Sequence, residues 1–184
     1  YSYDQKVADE IEFLKKGAQH KNEIITEEKI ERLPPPIKRW MIQSGVVGKR
    51  EPSLVHITQR GALRSKENDA WAEFTAQQCF SLKPPAFVWK ANIQMNEIIE
   101  IEGRDKLENG HGNMLIKAES IFPIANALGK EIDQATFVRF LAEISWFPQA
   151  ALKDYITWKA LDSNSAEAAF SYGKYFGYRY FYFQ

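Results

Sequence analysis

Residues 133–148 read D-Q-A-T-F-V-R-F-L-A-E-I-S-W-F-P, and their spacing decides how the rest of the chain is read. Phe137, Phe140, Leu141 and Ile144 recur at i, i+3, i+4 and i+7, which puts them on one face of an α-helix. Asp133 suits the N-cap, where a carboxylate accepts free amide hydrogens of the first turn. Pro148 is the stop, because it has no amide hydrogen and pushes Phe147 out of helical geometry. The spacing predicts a helix over 133–146. Nearly every other patterned stretch after residue 50 alternates with period two. One amphipathic helix among many strands needs its apolar face covered, and the apolar face of a sheet can cover it.

Working outward, 54–63, 71–82 and 86–95 read as strands. The third alternates most cleanly, with Phe87, Trp89, Ala91, Ile93 and Met95 against Val88, Lys90, Asn92 and Gln94. In the second, Ala72, Phe74, Ala76, Phe80 and Leu82 share a face that Gln78 interrupts. Residues 97–107 and 113–121 form a predicted hairpin around Asn109-Gly110, since both residues tolerate positive φ. Three more strands follow the helix, over 155–161, 166–172 and 175–183. Before residue 50 the pattern is helical: 1–16, a short helix after Thr26, and another that starts at Pro36 and ends at Gly45.

Consecutive strands joined by short turns predict an antiparallel sheet, and seven or more strands curl rather than stay flat. The expected fold is α+β, in one domain. A helical segment over 1–48 precedes a strongly curved antiparallel β-sheet, a half-barrel over 49–184, with helix 133–146 packed on its concave face.

Composition narrows the function classes. The 184 residues are 45% hydrophobic and 26% charged, which is ordinary for a globular chain with a sizeable core. Lys plus Arg equals Asp plus Glu at 24 each, which argues against a nucleic-acid partner. Cys79, the single cysteine, forms no internal disulfide. No apolar run reaches the ~18 residues that span a bilayer. The chain begins at Tyr1 without a methionine.

Several stretches together resemble a large bacterial family of unknown function. They are L-P-P-P-I-K-R-W at 33–40, G-V-V-G at 45–48, Q-R-G at 59–61 and W-A-E-F-T-A-Q-Q at 71–78. P-P-A-F-V-W-K-A at 84–91, G-R-D at 103–105, G-x-M at 112–114 and R-F-L-A-E-I-S-W-F-P at 139–148 complete the set. By fold the family is similar to lipoprotein-carrier half-barrels of the LolA type. The resemblance implies an extracytoplasmic or membrane-anchored domain, with an anchor upstream of Tyr1, and carries over no catalytic residue. It also implies further strands after 176–183, so this chain is expected either to lack residues after Gln184 or to leave an edge open.

No motif specifies chemistry. Gly45-Val46-Val47-Gly48-Lys49 looks like the end of a phosphate loop but lacks its first glycine and its Ser or Thr, so a helix cap and turn explain it. His20, His56 and His111 have no ligand spacing, and neither a metal nor a cofactor is expected. Arg139 and Glu143 stand at i and i+4. They form either a solvated pair or a buried one, in which Glu143 would need Gln78 or Gln59 as partner. The aromatics form either a filled core or the wall of a cavity. The cavity's candidate lining is Trp71, Phe74, Gln78, Trp89, Phe140, Glu143, Trp146 and Trp158.

The first functional expectation is a non-enzymatic module that binds an apolar or lipid-like ligand at the bacterial cell envelope. The second is a structural or protein-interaction domain with a filled aromatic core. It would use the Tyr-rich strand 175–183, with Phe181 and Phe183 inward, to pair as a homodimer. A hydrolase using Glu143 or Asp105 ranks last.

Overall fold

The computed structural model describes residues 2–19, 23–64, 66–118 and 122–183. The period-two stretches form strands close to where alternation places them: β1 (Leu54–Leu63), β2 (Ala72–Leu82), β3 (Pro85–Gln94), β4 (Glu100–Glu108) and β5 (His111–Ala118). A sixth, β6 (Phe122–Ala127), has no sequence counterpart above, because its F-P-I-A-N-A run is short and carries a proline. Each strand pairs antiparallel with the next, giving one six-stranded meander in chain order. Asn109 (φ 51°) and Gly110 (φ 80°) make the β4–β5 turn, as both residue types allow.

Helix α1 (Tyr3–Gly17) packs on this meander. Ser2 caps it, its side chain accepting from the Gln5 amide at 3.1 Å. Tyr3, Val7, Ile11 and Leu14 lie against Cys79, Ala86, Val88 and Leu115. Those four sheet residues share a face by register. The helix also brings charge to that face. Glu10 lies 3.1 Å from both Arg104 Nε and Lys106 Nζ. Arg104 is only 2% exposed and donates to the Asn113 carbonyl at 2.9 Å, so it depends on these partners for compensation.

The other elements form a second assembly. Helix α2 (Glu27–Glu31), helix α3 (Pro35–Gln43) and strands β7 (Ile156–Ala160), β8 (Ser165–Tyr172) and β9 (Tyr175–Tyr182) belong to it. The strands make an antiparallel sheet with β8 in the middle. Pro35 and Pro36 occupy the first turn of α3, where no amide hydrogen is needed. Ile37 and Met41 are buried with Ile25, Ile30 and Val46. Gly45 (φ 67°) and Gly48 (φ 84°) shape the turn after α3. The Gly48 amide donates to the Ile25 carbonyl at 2.7 Å, so the glycine-valine run closes backbone structure here.

Contacts divide the chain accordingly, into residues 1–18 with 54–133 and residues 19–53 with 134–184. Two corrections to the expected half-barrel follow. Among the described residues the strands form two sheets, not one continuous sheet, and no closed barrel is present. Helix α4 (Lys130–Glu143) packs its aromatic face on the smaller sheet. Phe137 lies 4.8 Å from Phe170 and 4.9 Å from Tyr175 between ring centroids. Phe140 sits among Phe147, Tyr155 and Phe170 at 5.5–6.2 Å. Hairpin adjacency is local and can be read from turns, whereas the helix between β6 and β7 hides whether those two strands join.

The start of α4 is also earlier than Asp133. That carboxylate does not cap its own helix; it accepts from the Gly112 amide at 2.8 Å and lies 3.3 Å from His111 Nδ1. After Glu143 the helix tightens into 3-10 turns over Ile144–Trp146 and Pro148–Leu152. Among the described residues, no helix is long and apolar enough to cross a membrane.

Phe140 has no exposed surface. Phe140→Ala is expected to cost about 3–5 kcal/mol, the range for deleting a large core aromatic, read as a lowered urea midpoint. Cys79 gives a pH test. Burial beneath α1 pushes its thiol up to about 11, whereas in the unfolded chain it ionises near ~8.5. The folded state thus holds a proton that the unfolded state releases. Stability should fall as pH rises from about 8.5 toward 11, and the native thiol should resist alkylation at pH 8. Prompt alkylation in the native state would overturn the placement of α1.

Candidate functional site

Register sorts the meander's side chains into two faces. The face away from α1 carries Gln59, Phe74, Gln78, Trp89, Ile93, Ile101 and Asp105. Across it runs a row of small residues, with Ala76 opposite Ala91 and Ala91 opposite Gly103. The Trp89 indole spans this row. Its Nε1 donates to Gln59 Oε1 at 2.8 Å. Its far edge lies over Gly103, where a Cβ would meet Trp89 Cζ3 at 3.3 Å. Phe74 makes a similar seat over Gly61, with 3.0 Å between its ring and a would-be Cβ. Both glycines are thus fixed by the close approach of a ring rather than by a left-handed turn.

The two rings lie 6.4 Å apart, tilted at 59°. Leu63, Ile93 and Ile101 join them in one apolar cluster with Ala72, Ala76 and Ala91. Phe74 and Trp89 are only partly buried, so this cluster is a ledge with an accessible surface. Gln78 is wholly buried beside it, and its Oε1 takes a 3.5 Å hydrogen bond from Gln59 Nε2. The reading of Gln78 as an inward, hydrogen-bonded interruption of an apolar face is correct. Gln59 is a partner of its side chain.

The eight candidate residues divide between the two units. Trp71, Phe74, Gln78 and Trp89 belong to the larger sheet. Phe74, Gln78 and Trp89 meet on the ledge, and Trp71 is exposed at the start of β2 with the Arg64 guanidinium 4.8 Å over its ring. The other four belong to the second unit. Phe140 is part of the filled aromatic core described above. Glu143 accepts from Arg139 Nε at 3.0 Å, and its side chain is 13% exposed, so the pair is a mostly buried one. Trp146 is exposed in its 3-10 turn. Trp158 packs on Trp40 and Phe181 and donates from Nε1 to the Ala151 carbonyl at 3.1 Å.

Sequence reading missed Gly61 and Gly103 as ring seats, and Gln59 as the indole's acceptor. The signal was present, since Q-R-G and G-R-D each put a glycine on the same face as a large aromatic. Asp105 pairs directly opposite Trp89 and is the one titratable side chain that register puts on this face among the described residues of the six strands. On the α1 face, an open groove of 690 Å³ lies between Arg60, Glu73, Thr75, Asn92, Gln94 and Glu100. Gly61, Ala62 and Phe74 complete its lining, so its wall is mixed polar and apolar. His56 is exposed on that same face, and His20 lies outside the described residues.

Gln59→Leu removes the indole's acceptor. It is expected to lower stability by about 1 kcal/mol, the net worth of one such hydrogen bond, and to change the emission of Trp89. Unchanged emission would mean that the bond does not hold the ring in solution.

No curated protein and no solved structure matches the chain. The quoted stretches at 59–61, 71–78, 84–91 and 103–105 meet around Trp89, and those at 33–40 and 139–148 build the second unit's core. A family model spans both sets, matching residues 23–184. The chain belongs to that family, DUF6544, a family of unknown function.

Proposed function

We propose that this chain is a non-enzymatic binding module whose six-stranded sheet works as an open, carrier-like half-barrel. The Trp89 face holds a lipid-like ligand. The observation that carries this reading is the indole laid across the small-residue row, held at one end by Gln59 and supported at the other by Gly103. A ring fixed in this way keeps its orientation while offering its outer surface for contact. The apolar part of a ligand lies along Leu63, Phe74, Ile93 and Ile101. Its polar part meets the Gln59 amide and Asp105. A mostly apolar surface with few polar groups is what an amphipathic ligand requires.

Among the described residues of the six strands, register puts one carboxylate, Asp105, on this face, without the second carboxylate that glycoside hydrolysis uses. That favours binding over turnover. The resemblance to membrane-tethered domains makes the bacterial cell envelope the proposed compartment.

Native mass spectrometry of the purified protein should find co-purified lipid. A fluorescent fatty-acid probe should titrate to saturation, and Trp89→Ala should weaken it by about tenfold, as removing one central aromatic anchor does. A probe that never saturates, or that binds Trp89→Ala equally well, would sink the reading.

A second observation favours a protein contact elsewhere. Strand β9 ends the order β7-β8-β9, and Phe176, Tyr178, Tyr180 and Tyr182 along it are exposed. Ring centroids run at 6.5 and 5.9 Å down the first three. Phe181 and Phe183 turn the other way, onto Trp158 and Trp40, as alternation predicts. Arg179 within the strand and Lys174 before it, over the Tyr175 ring, are the cations along this aromatic edge among the described residues, and they protect it poorly against strand addition. Two copies pairing antiparallel through β9 would cover it. Light scattering should then report a dimer that Tyr178→Lys with Tyr180→Lys returns to monomer. A monomer at high micromolar concentration excludes the pairing.

A further inference from the structure

One end of the six-stranded sheet carries large apolar side chains in water. β1 and β2 close their ladder at Leu63 opposite Ala72, β2 and β3 at Glu73 opposite Gln94, and β3 and β4 at Gln94 opposite Glu100. The β1–β2 and β3–β4 connections therefore leave the sheet side by side. Trp71 is 62% exposed in the first, and Met95, Ile98 and Ile99 are 48%, 91% and 48% exposed in the second.

The second connection is built to present these residues. Asn96 Oδ1 accepts from the Ile98 and Ile99 amides at 2.9 and 2.8 Å. The Met95 amide donates to the Ile99 carbonyl at 2.9 Å. With its amides satisfied internally, the turn holds Ile98 outward without needing a partner. Just inside the sheet, Leu63, Ala72, Phe74, Ile93 and Ile101 continue the apolar surface toward Trp89.

We infer that this end is a membrane-docking tip, in which Trp71, Met95, Ile98 and Ile99 enter the interfacial layer of a zwitterionic phospholipid surface. Three features select that occupant. Four side chains on two narrow turns fall well short of the ~1,000 Å² that a stable protein interface buries. An indole beside aliphatic side chains suits the boundary between headgroup and acyl chain. Glu67, Asp69, Glu73, Glu97 and Glu100 outnumber Arg60, Arg64 and Lys66 in and beside the two connections, which disfavours an anionic surface. The role of the tip in passing lipid to Trp89 rests on the binding reading above; the docking itself does not.

The test is flotation of the whole chain with phosphatidylcholine vesicles, with and without phosphatidylglycerol, beside the soluble fatty-acid probe. The wild type should float with phosphatidylcholine alone, with a blue-shifted emission that Trp71→Phe abolishes. Ile98→Glu with Ile99→Glu should reduce flotation by at least about tenfold while leaving probe affinity and the urea midpoint unchanged. Failure of flotation with intact probe binding overturns the tip alone, and failure of probe binding with intact flotation overturns the Trp89 reading alone. Equal flotation of the double variant, flotation that needs phosphatidylglycerol, or a self-association that the double variant abolishes would each overturn the tip.

Discussion

A sheet that is apolar on both sides has to be covered on both sides, and β2 and β3 impose that constraint on the larger unit. Cys79, Ala86 and Val88 on one face need a cover, and α1 supplies it. Because α1 is amphipathic and charged, it also neutralises the charges beneath it, with Glu10 beside Arg104 and Lys106. Burial of an arginine in this way adds little net stability, but it fixes where the helix can sit, since removing one partner leaves a charge uncompensated. On the opposite face Gln78, Phe80, Leu82, Phe87 and Leu107 are wholly buried as well, and the aromatic ledge forms beside them.

The ledge depends on size contrast within one sheet face. Ala76, Ala91 and Gly103 leave room above the backbone, and the neighbouring rings lie in it. A side chain at Gly103 would meet the indole at 3.3 Å and press it from its seat. The polar pair Gln59 and Gln78 then gives an otherwise apolar surface a direction, with an amide at one end. An apolar surface without such a group would bind without orientation; an isolated buried amide would cost stability.

In the second unit the same chemistry produces the opposite result. Phe137, Phe140, Phe147, Tyr155 and Phe170 fill their space with one another at ring distances of 4.8–6.2 Å. Those residues come from a helix, the turn after it, the turn before β7 and strand β8, so each ring meets neighbours on several sides. On the larger sheet Phe74 and Trp89 keep part of their surface accessible. Equal aromatic richness therefore gives a filled core in one place and a contact surface in another.

Much of this was legible in the sequence. Among the described residues, alternation located eight of the nine strands, Asn109-Gly110 marked its hairpin, and Gln78 announced a buried polar position by standing where Phe or Val was due. Phe140 read as core and Phe181 as the inward side of β9. These succeed because period, turn conformation and burial of apolar groups are local properties of a few residues. Tertiary structure alone decided that α4 serves the smaller sheet, that Asp133 binds the β5 backbone and not its own helix, and that Gln59 is the partner of Trp89. Each of those depends on which distant segments meet. Residue 59 finds residue 89 only through the registers of two successive hairpins, and a shift of one residue in either would turn those side chains to the other face.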